Sequence, residues 1–254
     1  MDCNKTILEV FYHIAKKHPE LINNLNNNFS DFEQDLEFKG TFYYSKNKNC
    51  ELTILADKYG SDKGIVDASK HRFPWPYHTY TDFYQRLWGH CRNCVKKVFE
   101  CGLGTNNPKL PSSMGSLGKP GASLRMWRDY FPFAQIYGAD IDKNILFSEE
   151  RIKTYFINQL DPELIKNCWN EIDEFDFDFI LDDGLHTFDA GSCLFDNSIN
   201  RLSKNGIYVI EDVNIYDLRK YKSFFKNKNY IVDYVTMYKK NFLGDNSLIV
   251  IRKN

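Results

Sequence analysis

The sequence predicts an α/β fold built on a doubly wound, mostly parallel sheet of seven strands, with an antiparallel pair at one edge. Three observations carry this prediction. From about residue 95 onward, short apolar runs alternate with helical segments, the alternation that builds a parallel sheet with helices on both faces. The first run, Val95 to Glu100, enters a glycine turn, Cys101-Gly102-Leu103-Gly104. Later runs end in acids: Asp140, Asp182-Asp183 and Glu211-Asp212. Ligands of open α/β sheets bind beyond the carboxyl ends of the strands, so these acids stand where chemistry is expected.

Residues 3–27 read as an amphipathic helix, with Ile7, Leu8, Phe11, Ile14 and Ala15 at helical spacing. This N-terminal helical extension is assigned to residues 1–48, and the main domain to 49–254. The extension either covers an acceptor pocket, pairs with a second subunit as a homo-oligomer, or packs on the core; the sequence leaves the three open. A short helix over 51–59 ends at Gly60. Residues 71–77 hold three aromatics and two prolines and read as an irregular loop. Tyr80, Phe83, Tyr84 and Leu87 mark the buried side of another helix. After the glycine turn, 107–121 is rich in Pro, Gly and Ser and reads as a mobile loop. A helix follows over Ala122 to Tyr130. Further strands are expected at Gln135 to Ala139, Tyr155 to Asn158, Phe177 to Leu181 and Ile207 to Ile210. Tyr230 to Val235 and Leu248 to Ile251 supply the antiparallel pair.

Lys+Arg is 33 and Asp+Glu 34 in 254 residues, a net charge of -1. No basic excess points to nucleic acid. The 7 Cys are odd in number and scattered, which favours reduced thiols and a cytoplasmic setting. Cys91 and Cys94 form a Cys-x-x-Cys without the second pair that zinc needs. The N-terminus lacks the apolar stretch of a signal peptide, and no run reaches the roughly 18 apolar residues of a membrane span.

The glycine turn limits the ligand. A dinucleotide fingerprint places a third glycine where Asn107 stands, so diphosphate binding at a helix start is disfavoured. A methyl donor has no phosphate to cradle. It needs close backbone approach, which Gly102 and Gly104 allow, and an anionic wall, which Glu100 supplies. It also needs a carboxylate for the ribose hydroxyls, for which Asp140 and Asp142 are placed.

Two strand ends carry further acids. If the strands are neighbours, Asp183, Glu211 and Asp212 lie about 5 Å from one another's backbones. Such clustering requires proton uptake or a cation. Oxygen ligands favour Mg²⁺ or another hard divalent ion, and these three are the expected metal ligands. Asp183 is thereby also part of the catalytic pair. Its partner is His186, three residues on, the expected general base. Asp182 faces the other way or holds the loop on the cofactor side.

Four segments resemble the class I methyltransferases of the macrolide-sugar type, which include mycinamicin and macrocin O-methyltransferases. They are Leu55 to Gly64 with His78 to Tyr84, Phe99 to Gly104, Tyr137 to Asp142, and Asp182 to His186 with Ile210 to Asp212. Together they span roughly residues 50–215. The resemblance implies a Rossmann-like fold, S-adenosylmethionine as donor and a divalent metal that positions a sugar diol. It also implies that Gln159 and Asp161 form the adenine side of the donor site. The turn carrying Tyr59, Ser61 and Lys63 would close over the donor's methionine end. Leu185 departs from the pattern, standing where relatives often have a small polar residue.

The expected function is Mg²⁺-assisted O-methylation of a sugar or small cell-surface precursor. An amine or phosphorus-linked oxygen as acceptor is the alternative within the same chemistry. A nicotinamide-dependent oxidoreductase and a non-catalytic binding module are the rivals outside it.

Overall fold

The computed structural model describes residues 50–65, 69, 72–237 and 244–254, with the backbone of 40–43 and 238. The helix expected over 3–27 lies outside the described residues, as does nearly all of the extension assigned to 1–48.

The sheet has nine strands, two more than expected. The seven expected ones are β2 (Lys97–Cys101), β3 (Gln135–Asp140), β5 (Ile152–Phe156), β6 (Phe177–Asp182), β7 (Leu202–Ile210), β8 (Tyr230–Tyr238) and β9 (Ser247–Lys253). The additions are edge pieces. β1 (Gly40–Tyr43) runs parallel to β8, and β4 (Ser148–Glu149) is a two-residue antiparallel cap on β5. Both are too short to show a strand period in sequence. β1 also places the start of the sheet inside the segment assigned to the extension.

The spatial order is β1-β8-β9-β7-β6-β2-β3-β5-β4. β2 lies parallel between β3 and β6, and β7 lies parallel to β6. β9 then inserts antiparallel between β7 and β8. Chain order therefore reverses direction at β2, where β3 follows on one side and β6 takes the other. The crevice outside the carboxyl ends of these two strands is the topological switch point.

Six α-helices flank the sheet among the described residues: α1 (Glu51–Tyr59), α2 (Tyr80–Trp88), α3 (Ala122–Tyr130), α4 (Pro162–Ile172), α5 (Phe188–Ser198) and α6 (Ile215–Phe225). Their ends follow local rules. Gly60 closes α1 at φ 83, a left-handed conformation that only glycine adopts cheaply. Asp161 caps α4, its carboxylate accepting from the N–H groups of Glu163 and Leu164.

β2 and β6 are buried on both faces, as helix-covered parallel strands must be. Phe179 on β6 is fully buried, with ring centroids 5.6 Å from Tyr84, 5.3 Å from Trp88 and 5.5 Å from Trp127. This cluster seats α2 and α3 on one face of the sheet.

Boundaries shift where polar residues interrupt an apolar run. The third expected strand sits earlier, at Ile152–Phe156 instead of 155–158, because Lys153 and Thr154 mask its start. β7 begins at Leu202, ahead of the polar stretch Ser203-Lys204-Asn205, and its register against β6 shifts between Phe177 and Phe179.

Phe179→Ala removes the ring shared by three aromatics and should cost about 3–5 kcal/mol. Urea unfolding should show a lower midpoint at unchanged slope. An unchanged midpoint would contradict this packing.

Candidate active site

The register brings the acidic strand ends together. Cys101 of β2 lies opposite Asp182 of β6, and Asp182 opposite Ile210 of β7. Beyond these pairs the ladder continues, with the Asp183 N–H donating to the Cys101 carbonyl at 2.9 Å and the Glu211 N–H to the Asp182 carbonyl at 2.9 Å. A cavity of about 500 Å³ opens over these tips, at the switch point.

Asp183, His186 and Asp212 all face this cavity, and one ligand atom from each lies within 4.8 Å of the other two. His186 Nε2 is 3.2 Å from Asp183 Oδ1 and 3.6 Å from Asp212 Oδ2. His186 and Asp212 both sit at positive φ, 58 and 52. Backbone of this kind is sparsely populated by non-glycine residues and collects at functional sites. Behind them, Tyr80 Oη donates to Asp212 Oδ1 at 2.6 Å, and His78 Nδ1 lies 3.4 Å from the same oxygen.

Glu211 is placed differently from the expectation. It is 1% exposed, and both its oxygens are engaged, one by Tyr84 Oη at 2.7 Å and the other by Lys63 Nζ. Lys63 Nζ also meets Asp183 Oδ2 at 2.5 Å and Glu100 Oε1 at 3.4 Å. Burial opposes the Lys63 charge, but Asp183, Glu211 and Glu100 outweigh it and hold the ammonium protonated. Lys63 and His186 in turn keep Asp183 ionised against its burial.

Glu100 therefore faces the interior, between Lys63 and Trp127, whose Nε1 donates to Glu100 Oε2 at 3.0 Å. It does not form a wall of the cavity. Burial raises its carboxyl to about 7.

The expected donor-side residues divide. Gly102, Gly104, Asp140 and Gln159 line the cavity. Gly102, at φ 98, has no room for a Cβ, which would strike the Asp183 carbonyl. Asp140 accepts from the N–H groups of Leu103 at 2.7 Å and Asp142 at 2.8 Å. Gln159 ties Asp182 Oδ1 to the Leu185 N–H. Asp182 holds the loop through Gln159 and Gly184, and burial raises its carboxyl to about 6.

The rest of that group does not reach the cavity. Tyr59 bonds Asp129 and Arg128. Ser61 accepts from the Lys63 N–H. Asp142 accepts from Thr105 Oγ1 at 2.5 Å and from the Asn144 N–H. Asp161 is spent as the α4 cap.

Several lining residues were assigned no role from sequence. Asp62, Trp75 and His78 form one wall, with Trp75 Nε1 donating to Asp62 Oδ2 at 2.8 Å. Trp75 stacks on Phe73, centroids 4.9 Å apart. The three aromatics between prolines were the available signal, read as an irregular loop. The loop 107–121 is tied to the segment before it: the Met114 N–H donates to the Thr105 carbonyl, and Asn106 Nδ2 to the carbonyls of Gly115 and Gly118. Its residues Pro111 to Met114 close another side of the cavity.

The strand order around β2, with β9 inserted antiparallel between β7 and β8, and the crevice at β2 are those of the class I methyltransferase fold. A solved methyltransferase of the mycinamycin biosynthetic pathway, MycE, in complex with Mg and SAH, superposes with a TM-score of 0.58 at 23% identity, covering 80% of this chain and 55% of that one. Curated relatives are similar in sequence. The chain is 31% identical over 162 residues to the 8-demethyl-8-alpha-L-rhamnosyl tetracenomycin-C 2'-O-methyltransferase of Streptomyces olivaceus, covering 64% of this chain and 37% of that one. It is 30% identical over 188 residues to the mycinamicin VI 2''-O-methyltransferase of Micromonospora griseorubida, covering 72% and 44%. The demethylmacrocin O-methyltransferase of Streptomyces fradiae is 32% identical over 177 residues, covering 67% and 42%. The resemblance read from the four segments thus holds over most of the chain, which spans less than half the length of these relatives. No family model matches the chain. No helix among the described residues is long and apolar enough to cross a membrane.

The buried acids set a pH dependence. Asp182 and Glu100, raised by burial to about 6 and about 7, hold protons in the fold that the unfolded chain has already released. Their contribution falls as pH rises from about 4 to about 7. For His186, burial works against the charge, yet the carboxylates of Asp212 and Asp183 prevail and push it to about 10. Its contribution is full below about 6.5 and is lost as pH rises through about 10. All three act in one direction, so in EDTA the melting temperature should fall steadily from pH 5 to pH 9. A rise across that range would contradict the buried network.

Proposed function

We propose that this chain is an S-adenosylmethionine-dependent O-methyltransferase, assisted by a divalent cation and acting on a hydroxyl of a sugar or sugar-linked small molecule. One observation carries the reading: two carboxylates and an imidazole converge on a point in a cavity at the switch point of the sheet. The sequence relatives support the oxygen acceptor, since their names describe O-methyltransferases, two of them of rhamnosyl and olivosyl compounds.

The residues at the tips of β2 and β3 would hold the donor. Gly102 admits it close to the backbone. Asp140 accepts backbone N–H groups and lines the cavity, and its remaining acceptor capacity serves the ribose hydroxyls. Ile141 and Leu160 give apolar surface on the adenine side.

The cavity chemistry fits a hard cation. Asp183 Oδ1 and Asp212 Oδ2 are the oxygens turned toward the shared point, and they would hold it. Bound there, a divalent ion supplies the positive charge that lowers the pKa of an adjoining hydroxyl and offsets the field holding the His186 proton. His186 Nε2 then accepts the hydroxyl proton. The acceptor oxygen bonds to the methyl carbon as the carbon–sulfur bond breaks, and the electron pair leaves with sulfur. Catalysis is chiefly alignment. Trp75 gives a flat apolar face against which a sugar ring can rest, and Pro111 to Met114 wall another side of the cavity.

S-Adenosylhomocysteine should raise the melting temperature and NAD should not, because only a ligand of the native state stabilises it. In the presence of S-adenosylhomocysteine, Mg²⁺ titrated calorimetrically should bind the wild-type chain and bind Asp212→Asn at least about tenfold more weakly. A shift from NAD alone would replace the donor assignment, and equal Mg²⁺ binding by Asp212→Asn would remove the cation site.

A further inference from the structure

We infer that Asp182 Oδ2 and Tyr221 Oη hold one buried water between them, and that this bridge makes Tyr221 a positioning residue for the two loops that carry the cation site. The positioning role rests on the divalent-cation site proposed above, while the water has a test of its own.

The geometry begins at a glycine in a helix. Gly191 lies in α5, where alanine would ordinarily stabilise. Its backbone is ordinary helix, with its N–H donating to the Thr187 carbonyl at 3.0 Å, so no special φ calls for glycine there. The reason is space. A Cβ on Gly191 would strike Tyr221 Oη and come within 3.2 Å of Asp182 Oδ2. The phenol of α6 and the carboxylate at the end of β6 thus converge on one bare stretch of α5.

Asp182 is 3% exposed. Gln159 Nε2 and the Gly184 N–H take its Oδ1. Its Oδ2 is buried with no hydrogen-bond partner among the described residues. A buried carboxyl oxygen left in that state is costly. Tyr221 Oη makes no direct bond to it, yet lies near enough for one water to span the gap. Both residues line a small cavity of about 10 Å³, the room of a single water. Tyr208 Oη on β7 is also buried without a partner among the described residues. Burial first, and Asp182 next, raise its phenol, which makes it a neighbour of the same carboxyl. Water both donates and accepts, so one molecule can answer a carboxyl and a phenol together.

The bridge joins two loops. β6 ends at Asp182 and leads through Asp183 and His186 into α5, capped by Thr187. β7 leads through Glu211 and Asp212 into α6, capped by Asn214. Tyr221 belongs to α6, and its ring is fixed by Phe188 edge-on at 5.0 Å and by Phe225 stacked at 6.3 Å. Through the water, α6 is tied to the tip of β6. The acids after β7 are thereby held in place relative to Asp183 and His186.

A crystal structure of the full chain should show one water within hydrogen-bond distance of both Asp182 Oδ2 and Tyr221 Oη. A dry gap between them overturns the inference. Tyr221→Phe removes one oxygen and keeps the ring. In calorimetric titration with S-adenosylhomocysteine present, its Mg²⁺ affinity should fall at least about threefold, with S-adenosylhomocysteine affinity within about twofold of wild type. A lower melting temperature with unchanged Mg²⁺ affinity makes the bridge a structural tie only and overturns the positioning role. Gly191→Ala should lower the melting temperature, against the usual gain from this change in a helix. It should cost less in Tyr221→Phe, where the struck oxygen is gone. Equal cost in both backgrounds, or a gain in the chain that keeps Tyr221, overturns the convergence on Gly191. If the wild type binds no Mg²⁺, the proposed function fails and the positioning role with it, while the crystal structure still decides the water.

Discussion

One buried ammonium, that of Lys63, makes the rest of the site possible. Three carboxylates at adjoining strand tips would repel one another in a medium of low polarity. Lys63 Nζ sits among them with Asp183, Glu211 and Glu100 as partners. The arrangement is costly to assemble, and removing one partner would leave buried charge uncompensated. It persists because α1, α2 and the turn between them hold the lysine from outside the sheet. The crevice chemistry thus depends on a segment that precedes the whole sheet core in sequence.

Charge is sorted around this centre by depth. Glu100 and Glu211, whose side chains are fully buried, have their carboxyls raised by burial, that of Glu100 to about 7. Asp183, half-open to the cavity, stays ionised. Asp212 leans on Tyr80 and His78 instead. The acids that face the cavity are therefore the ones free to meet a ligand, while Glu211 faces inward with both oxygens on protein partners. A count of carboxylates at strand ends does not separate these two groups.

The site also shows how scaffold residues become functional without carrying chemistry themselves. Asp182 and Gln159 form a brace under Gly184 and Leu185 that sets the path of the loop to His186. Tyr80 and Tyr84 are one helical turn apart on α2, and each orients one acid of the Glu211-Asp212 pair. In sequence these tyrosines carry only an amphipathic signal, because an apolar ring and a hydroxyl tip serve packing and hydrogen bonding at once.

The sequence by itself determined the alternation of strands and helices, the glycine turn, the acids at the strand ends and the pairing of Asp183 with His186. These are local: they follow from periodicity, from glycine's conformational freedom, and from residues at most a few positions apart. Only the tertiary structure decided which way each acid points. Asp140 and Asp142 are two residues apart, yet one lines the cavity and the other is tied to Thr105. Glu211 and Asp212 are adjacent, yet one turns to Lys63 and the other to the cavity. Lys63 and Glu211 are 148 residues apart, and no local pattern records that one meets the other. Side-chain direction at a strand's end depends on the partners waiting there, and those partners arrive from distant parts of the chain.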